Sequence, residues 1–149
     1  MKRFSFVLAG VSAMILSFPS LAAADRVGRN MRAYPVDAAV FEVIPRTASG
    51  AGDYWCGASD YAQRVLGASW TDPLFVVRGR GPSATTGRKS AVQFTLDPVA
   101  AGLSGAAAAR ANAPLNDRFP IILTNRLSPG DHMSVQQARS YCDRNPARP

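Results

Sequence analysis

The chain has 149 residues, a formal net charge of +7 and 47% hydrophobic residues. One histidine, two cysteines and one glutamate leave no cluster from which to build a metal site and no visible carboxylate pair for a glycosidase. No nucleotide-binding or other cofactor motif is complete.

The N-terminus reads as a secretory signal peptide. Met1, Lys2 and Arg3 precede the apolar run Phe4 to Phe18, and Ala22 and Ala24 supply the small residues of a cleavage site. The run is shorter than the roughly 20 apolar residues that span a bilayer, so cleavage after Ala24 is expected, with no membrane span in the mature chain. Removing those 24 residues leaves Asp25 to Pro149, the size of one domain with a real core. Lys2 and Arg3 leave with the peptide and no acid does, so the net charge falls from +7 to +5, carried almost wholly by arginine. Arginine suits carboxylates and phosphates, so the composition admits anionic partners without favouring them. Scattered arginines from a GC-rich coding sequence are the alternative.

Residues 25 to 38 carry Arg26, Arg29 and Arg32 among small and polar residues, and read as a loosely tethered arm ending in an edge strand. The alternation in "AVFEVIP", Ala39 to Pro45, predicts a strand, and "RTASGAG" a turn. In "DYWCGASDYAQRVLG" Asp53 is placed to cap a helix that Gly67 ends. At 100° per residue, Trp55, Ala58, Ala62, Val65 and Leu66 share an apolar face, Tyr61 lies at its margin, and Asp60, Gln63 and Arg64 face outward. Cys56 falls on the flank of that face in the first turn. Leu74 to Arg78 and Ala91 to Leu96 read as two strands of an antiparallel hairpin, with Val92, Phe94 and Leu96 on one face and Gln93 and Thr95 on the other. The alanine-rich stretch that follows holds either a short helix, Ser104 to Ala111, or a surface connection. Ile121 to Thr124 reads as a further strand. Ser134 with Gln137 three residues on forms a capping box for a last helix, with Met133 as a staple on Ala138 and Cys142 pointing inward. The order predicts an α+β fold, a small mostly antiparallel sheet packed by two helices, with one disulfide.

Two chemistries compete for Cys56. A thiol in the first turn of a helix feels the positive end of its dipole, as the nucleophile of a papain-like cysteine hydrolase does, and its base would have to be His132. That histidine lies in the polar turn "SPGDHMS", where such enzymes place it on a strand facing the thiol. Export favours the other reading, a Cys56–Cys142 disulfide. Closing so much of the chain is worth about 4 to 5 kcal/mol in the chain-entropy account.

The loop "GRGPSATTGRKS" resembles a phosphate-binding loop but has five residues between Gly81 and Gly87, Arg88 before Lys89, and a strand after it instead of a helix. Nucleotide binding is excluded on that ground. Arg78, Arg80, Arg88 and Lys89 nevertheless gather at one hairpin end, beside glycines that let backbone N–H groups approach a carboxylate, a phosphate or an anionic lipid. A solvated basic turn is the competing account. Nucleic acid is disfavoured, because no aromatics interleave with these charges. Trp55, Tyr61 and Trp70 are expected in the core rather than in a ligand site.

The stretches "YWCGASDYAQRVLG", "LFVVRGRGPSATTGRKSAVQFTLDP" and "SVQQARSYC" resemble uncharacterised small exported proteins of Gram-negative bacteria. The resemblance implies export to the periplasm or medium and a pair of cysteines, and carries over no functional residue. The leading expectation is an exported, non-catalytic binding or accessory protein. Its partner would be anionic lipid, cell-wall material or an acidic protein.

Overall fold

A computed structural model describes residues 23–28, 30–47, 49–111 and 127–143. The apolar N-terminal run and the strand expected at Ile121 to Thr124 lie outside the described residues. Six strands form one antiparallel sheet: β1 (Asp25–Val27), β2 (Met31–Pro35), β3 (Val40–Pro45), β4 (Pro73–Gly81), β5 (Ala91–Thr95) and β6 (His132–Ser134). Their spatial order is β1-β2-β3-β5-β4-β6. Helices α1 (Ala51–Arg64) and α3 (Val135–Asp143) pack together, while residues 105–109 of α2 (Gly105–Ala111) lie mostly in solvent. The expected α+β class and antiparallel sheet with a disulfide are what the chain adopts.

The alternation of the strands divides the sheet into two faces. Phe41 and Val43 of β3, Leu74 and Val76 of β4, and Val92 and Phe94 of β5 point to the helices, where Trp55, Ala58, Tyr61, Ala62, Val135 and Ala138 complete the main core. The Phe94 ring meets Trp55 edge-on at 5.2 Å, and Phe41 lies 4.5 Å from Tyr61. Helix α1 can lie this close because Gly57 faces the sheet. A Cβ there would sit 2.9 Å from Cγ1 of Val43 and 3.3 Å from Cβ of Met31. On the opposite face, Phe75 is buried under Ala101 and Leu103 of the β5–α2 connection.

Several elements depart from the sequence reading. Within the segment expected as an arm, Asp25–Val27 and Met31–Pro35 pair as β1 and β2, because Val27, Met31 and Ala33 each have a core to enter on alternate residues. Short strands with arginine at the intervening positions hide that alternation. Helix α1 begins two residues before the predicted cap. Gly50 is the N-cap, and Asp53 sits at the third helical position, accepting a hydrogen bond from the Gly50 N–H at 2.8 Å. The helix stops at Arg64, so Val65 and Leu66 project into solvent, as does Trp70, which is 52% exposed.

Asp60, expected outward, is buried. It receives the Gly28 N–H at 2.9 Å and pairs with Arg64 and Arg139, so one carboxylate ties the β1–β2 turn to both packed helices. Burial pushes its pKa up, but the hydrogen bonds from Arg64, Gly28 and Arg139 and the Arg64 charge outweigh that and hold it below the usual carboxylate range.

The capping box of α3 forms as read. The Gln137 N–H donates to Ser134 Oγ, and the Ser134 N–H to Gln137 Oε1, both at 3.1 Å. Residues 132–134 just before it pair with β4 as β6, a strand too short to show a pattern of its own.

Candidate functional site

Cys56 and Cys142 are joined, with Cα atoms 4.9 Å apart, within the range of an ordinary disulfide. The bond links α1 to α3 across 86 residues of sequence. His132 is the cross-strand partner of Phe75 on the face of the sheet away from α1, and its ring packs on the Phe75 ring at 5.2 Å. The two residues a cysteine hydrolase would need are therefore on opposite sides of the sheet, and the sulfur is already bonded.

The pairing registers bring one end of five strands together. Val27 faces Met31, Met31 faces Pro45, Val43 faces Val92, and Ala91 faces Gly81. The β1–β2 turn, the residues after β3, the start of α1 and the β4–β5 loop all cluster at this end. An open cleft of about 620 Å³ lies between the last three. Arg80, Arg88 and Lys89 of the hairpin line it, and Arg46 joins them from the end of β3. Arg78 does not line it. Its guanidinium turns back along its own hairpin to donate to the Pro82 carbonyl.

Each arginine of the cleft except Arg46 is steered by a backbone carbonyl or a ring. Arg80 donates to the Ser49 carbonyl at 3.1 Å and lies over the Tyr54 ring, 5.1 Å from its centroid. Tyr54 is buried, and its hydroxyl is 2.6 Å from that of Ser90. Arg88 reaches the Pro45 carbonyl at 3.4 Å. These neutral partners leave most of each guanidinium's five donors and its full charge available. Among the described residues the only ion pairs are those of Asp60, with Arg64 and Arg139. Among the described residues no carboxylate pairs with a cation of the cleft.

The β4–β5 loop is held by a residue that sequence reasoning set aside. Glu42 projects from β3 to the face opposite the helices and is fully buried there. Its carboxylate accepts hydrogen bonds from the hydroxyls of Ser83 and Thr85 and from the N–H groups of Ala84 and Thr85, the last two at 2.9 and 3.0 Å. Ser83 also gathers the loop around itself, accepting from the Thr86 N–H at 2.9 Å, while its own N–H donates to the Arg88 carbonyl at 2.7 Å. Burial pushes the Glu42 pKa up, yet the hydrogen bonds from Ser83, Thr85 and Ala84 outweigh it and hold the carboxyl below its ordinary value. The amides of Ala84 and Thr85 are thus committed to Glu42, while Arg88 and Lys89 at the end of the loop are exposed. One signal was in the sequence: a lone glutamate at a strand position flanked by Phe41 and Val43 implies a buried partner or an exposed face, and the loop supplied the partner.

A second, smaller hollow of about 190 Å³ adjoins the β1–β2 turn, lined by Arg26, Arg32 and the same Arg46. Arg26 and Arg32 stand directly opposite each other on β1 and β2. Like charges in that relation repel. No family model, curated protein or solved structure matches the chain. Among the described residues no group of three metal-ligating side chains occurs and no helix is long and apolar enough to cross a membrane.

Proposed function

We propose that the protein is an exported binding module that holds an anionic partner at the cationic end of its sheet. The observation that carries this reading is the set Arg46, Arg80, Arg88 and Lys89 around one open cleft, with no ion pair to any of them and no carboxylate in the lining among the described residues. Several fixed cations around a concave, partly desolvated surface attract an anion more strongly than the same charges scattered on a convex one. The guanidinium forks of Arg80 and Arg88 are already oriented by carbonyls, so little side-chain entropy remains to be lost on binding. Export rests on the N-terminal Met-Lys-Arg, the apolar run and the Ala-x-Ala site, and the disulfide agrees with an oxidising compartment.

The test is retention of the full-length secreted protein on anionic lipid vesicles and on wall polysaccharide, compared with the triple variant Arg80→Glu, Arg88→Glu, Lys89→Glu. Retention should disappear in the variant while its thermal unfolding stays close to the parent's. Unchanged retention on both materials removes the reading. Sequencing of the secreted chain should begin at Asp25, and a start at Met1 would remove the export part alone.

A further inference from the structure

The two hollows at the cationic end are joined by Arg46, which lines both. We propose that the ligand is an acidic oligosaccharide long enough to lie across both hollows, with Arg46 in contact with its middle. The inference rests on the anion-binding reading above and specifies what that anion is.

Three observations point the same way. First, the cations form a track. Arg26 and Arg32 line the smaller hollow, Arg46 stands between, and Arg80, Arg88 and Lys89 line the larger. A single compact anion placed in either hollow would leave the other's cations unanswered, whereas a chain with repeated anionic groups meets all of them. Second, the cross-strand pair Arg26 and Arg32 is a repulsion built into the sheet. Among the described residues no acid relieves it, and an anionic group lying between the two guanidiniums would.

Third, the larger hollow is wide for a bare oxyanion and lies in the size range that takes a whole small molecule. Thr47, Ser49 and Ser90 add hydroxyl oxygens to its wall; those of Ser49 and Ser90 already bond the Thr47 carbonyl and the Tyr54 hydroxyl, but each oxygen can still accept from a hydroxyl group of a sugar that carries a carboxylate or phosphate. A nucleic acid would ask for exposed rings on which its bases could stack. Among the described residues the only aromatic ring in the wall, that of Tyr54, is buried and covered by Arg80.

The experiment is calorimetric titration of the full secreted chain with galacturonate and its oligomers of increasing length, at fixed salt because such binding is screened. Affinity should rise by about tenfold or more between the single sugar and a chain long enough to enter both hollows, as a second attached site engages. Arg32→Ala and, separately, Arg26→Ala should remove most of that gain and leave binding of the single sugar unchanged. Both side chains lie outside the core, and a preserved melting temperature confirms that each variant is folded. Equal affinity at every length, or no effect of either variant on the longest oligomer, overturns the two-hollow inference while the single-sugar binding keeps the anion-binding reading. Binding of no length, together with no retention on lipid, overturns both. Polyphosphate or single-stranded DNA of equal charge binding as tightly as the oligosaccharide overturns the sugar assignment.

Discussion

At the end of the sheet away from the clefts, Asp37 accepts hydrogen bonds from the N–H groups of Ala39 and Val40, Asp72 from that of Ser69, and Asp97 from that of Val99. Segments 35–40, 69–73 and 95–104 at that end contain three aspartates and no lysine or arginine. At the cleft end the balance is reversed, with Arg26, Arg32, Arg46, Arg80, Arg88 and Lys89 against Asp53, which caps α1, the buried Glu42, and Asp60, which holds the β1–β2 turn and is paired with Arg64 and Arg139. The two ends differ in what their charge does as well as in its sign. A short carboxylate beside free N–H groups is absorbed into its own turn. A long arginine cannot serve those N–H groups, so it reaches a carbonyl with one donor and presents the rest to solvent. Acidic charge here builds local structure, and basic charge is left over for a partner.

The bridge between α1 and α3 serves both ends alike and sets the largest expected effect. Replacing Cys56 and Cys142 together by serine should cost about 4 to 5 kcal/mol, seen as a lower urea midpoint. A change under about 1 kcal/mol would show that the packed helices hold themselves. Next comes Glu42→Ala, which strands four donors under the β4–β5 loop and should cost about 3 kcal/mol or more while also weakening anion binding. That second effect has an informative sign. Removing a negative charge near a cationic cleft should strengthen anion binding on electrostatic grounds alone, so a loss measured by titration shows that Glu42 works by positioning Arg88 and Lys89.

Acid should act through the same residue. The Glu42 and Asp60 carboxyls both lie below their ordinary values in the fold, so each contributes stability above its unfolded pKa that is lost as the pH falls through its folded one. Unfolding followed by circular dichroism should therefore show stability falling on the acid side, and Glu42→Gln should flatten part of that fall. An unaltered acid limb would assign it all to Asp60. Asp37→Ala at the opposite end should cost about 1 kcal/mol and leave anion binding untouched. The smallest effect on stability belongs to Arg80→Ala, within about 0.5 kcal/mol, and it should be accompanied by a clear loss of anion affinity. A matching loss from Asp37→Ala would erase the distinction between the ends.

How much of this was legible in the sequence follows from where each signal resides. The hairpin β4–β5, strand β3, helix α1 and the capping box of α3 announce themselves through local pattern, and the compartment argument pairs the two cysteines. Arg80, Arg88 and Lys89 are close in sequence, so their convergence could be read. Arg46 could not, since it reaches the cleft only because β3 ends beside the start of β5. The same holds for Asp60. Its helical phase points outward, but the β1–β2 turn covers that side of α1, and a three-residue strand such as β1 carries too little pattern to foretell it. Trp70 went the other way, because α1 ends at Arg64 and the ring lies beyond it, 52% exposed, in the connection to β4.

The loop that looked like a phosphate-binding loop does bind an oxyanion. With two backbone N–H groups and two hydroxyls converging on Glu42, residues 83–85 form a nest whose guest is part of the protein. The guest arrives attached to a strand, so it cannot dissociate, and its effective concentration is set by the fold. Losing this side chain would leave those four donors buried without their acceptor. The chain's single glutamate is in that sense a tethered cofactor for its own hairpin.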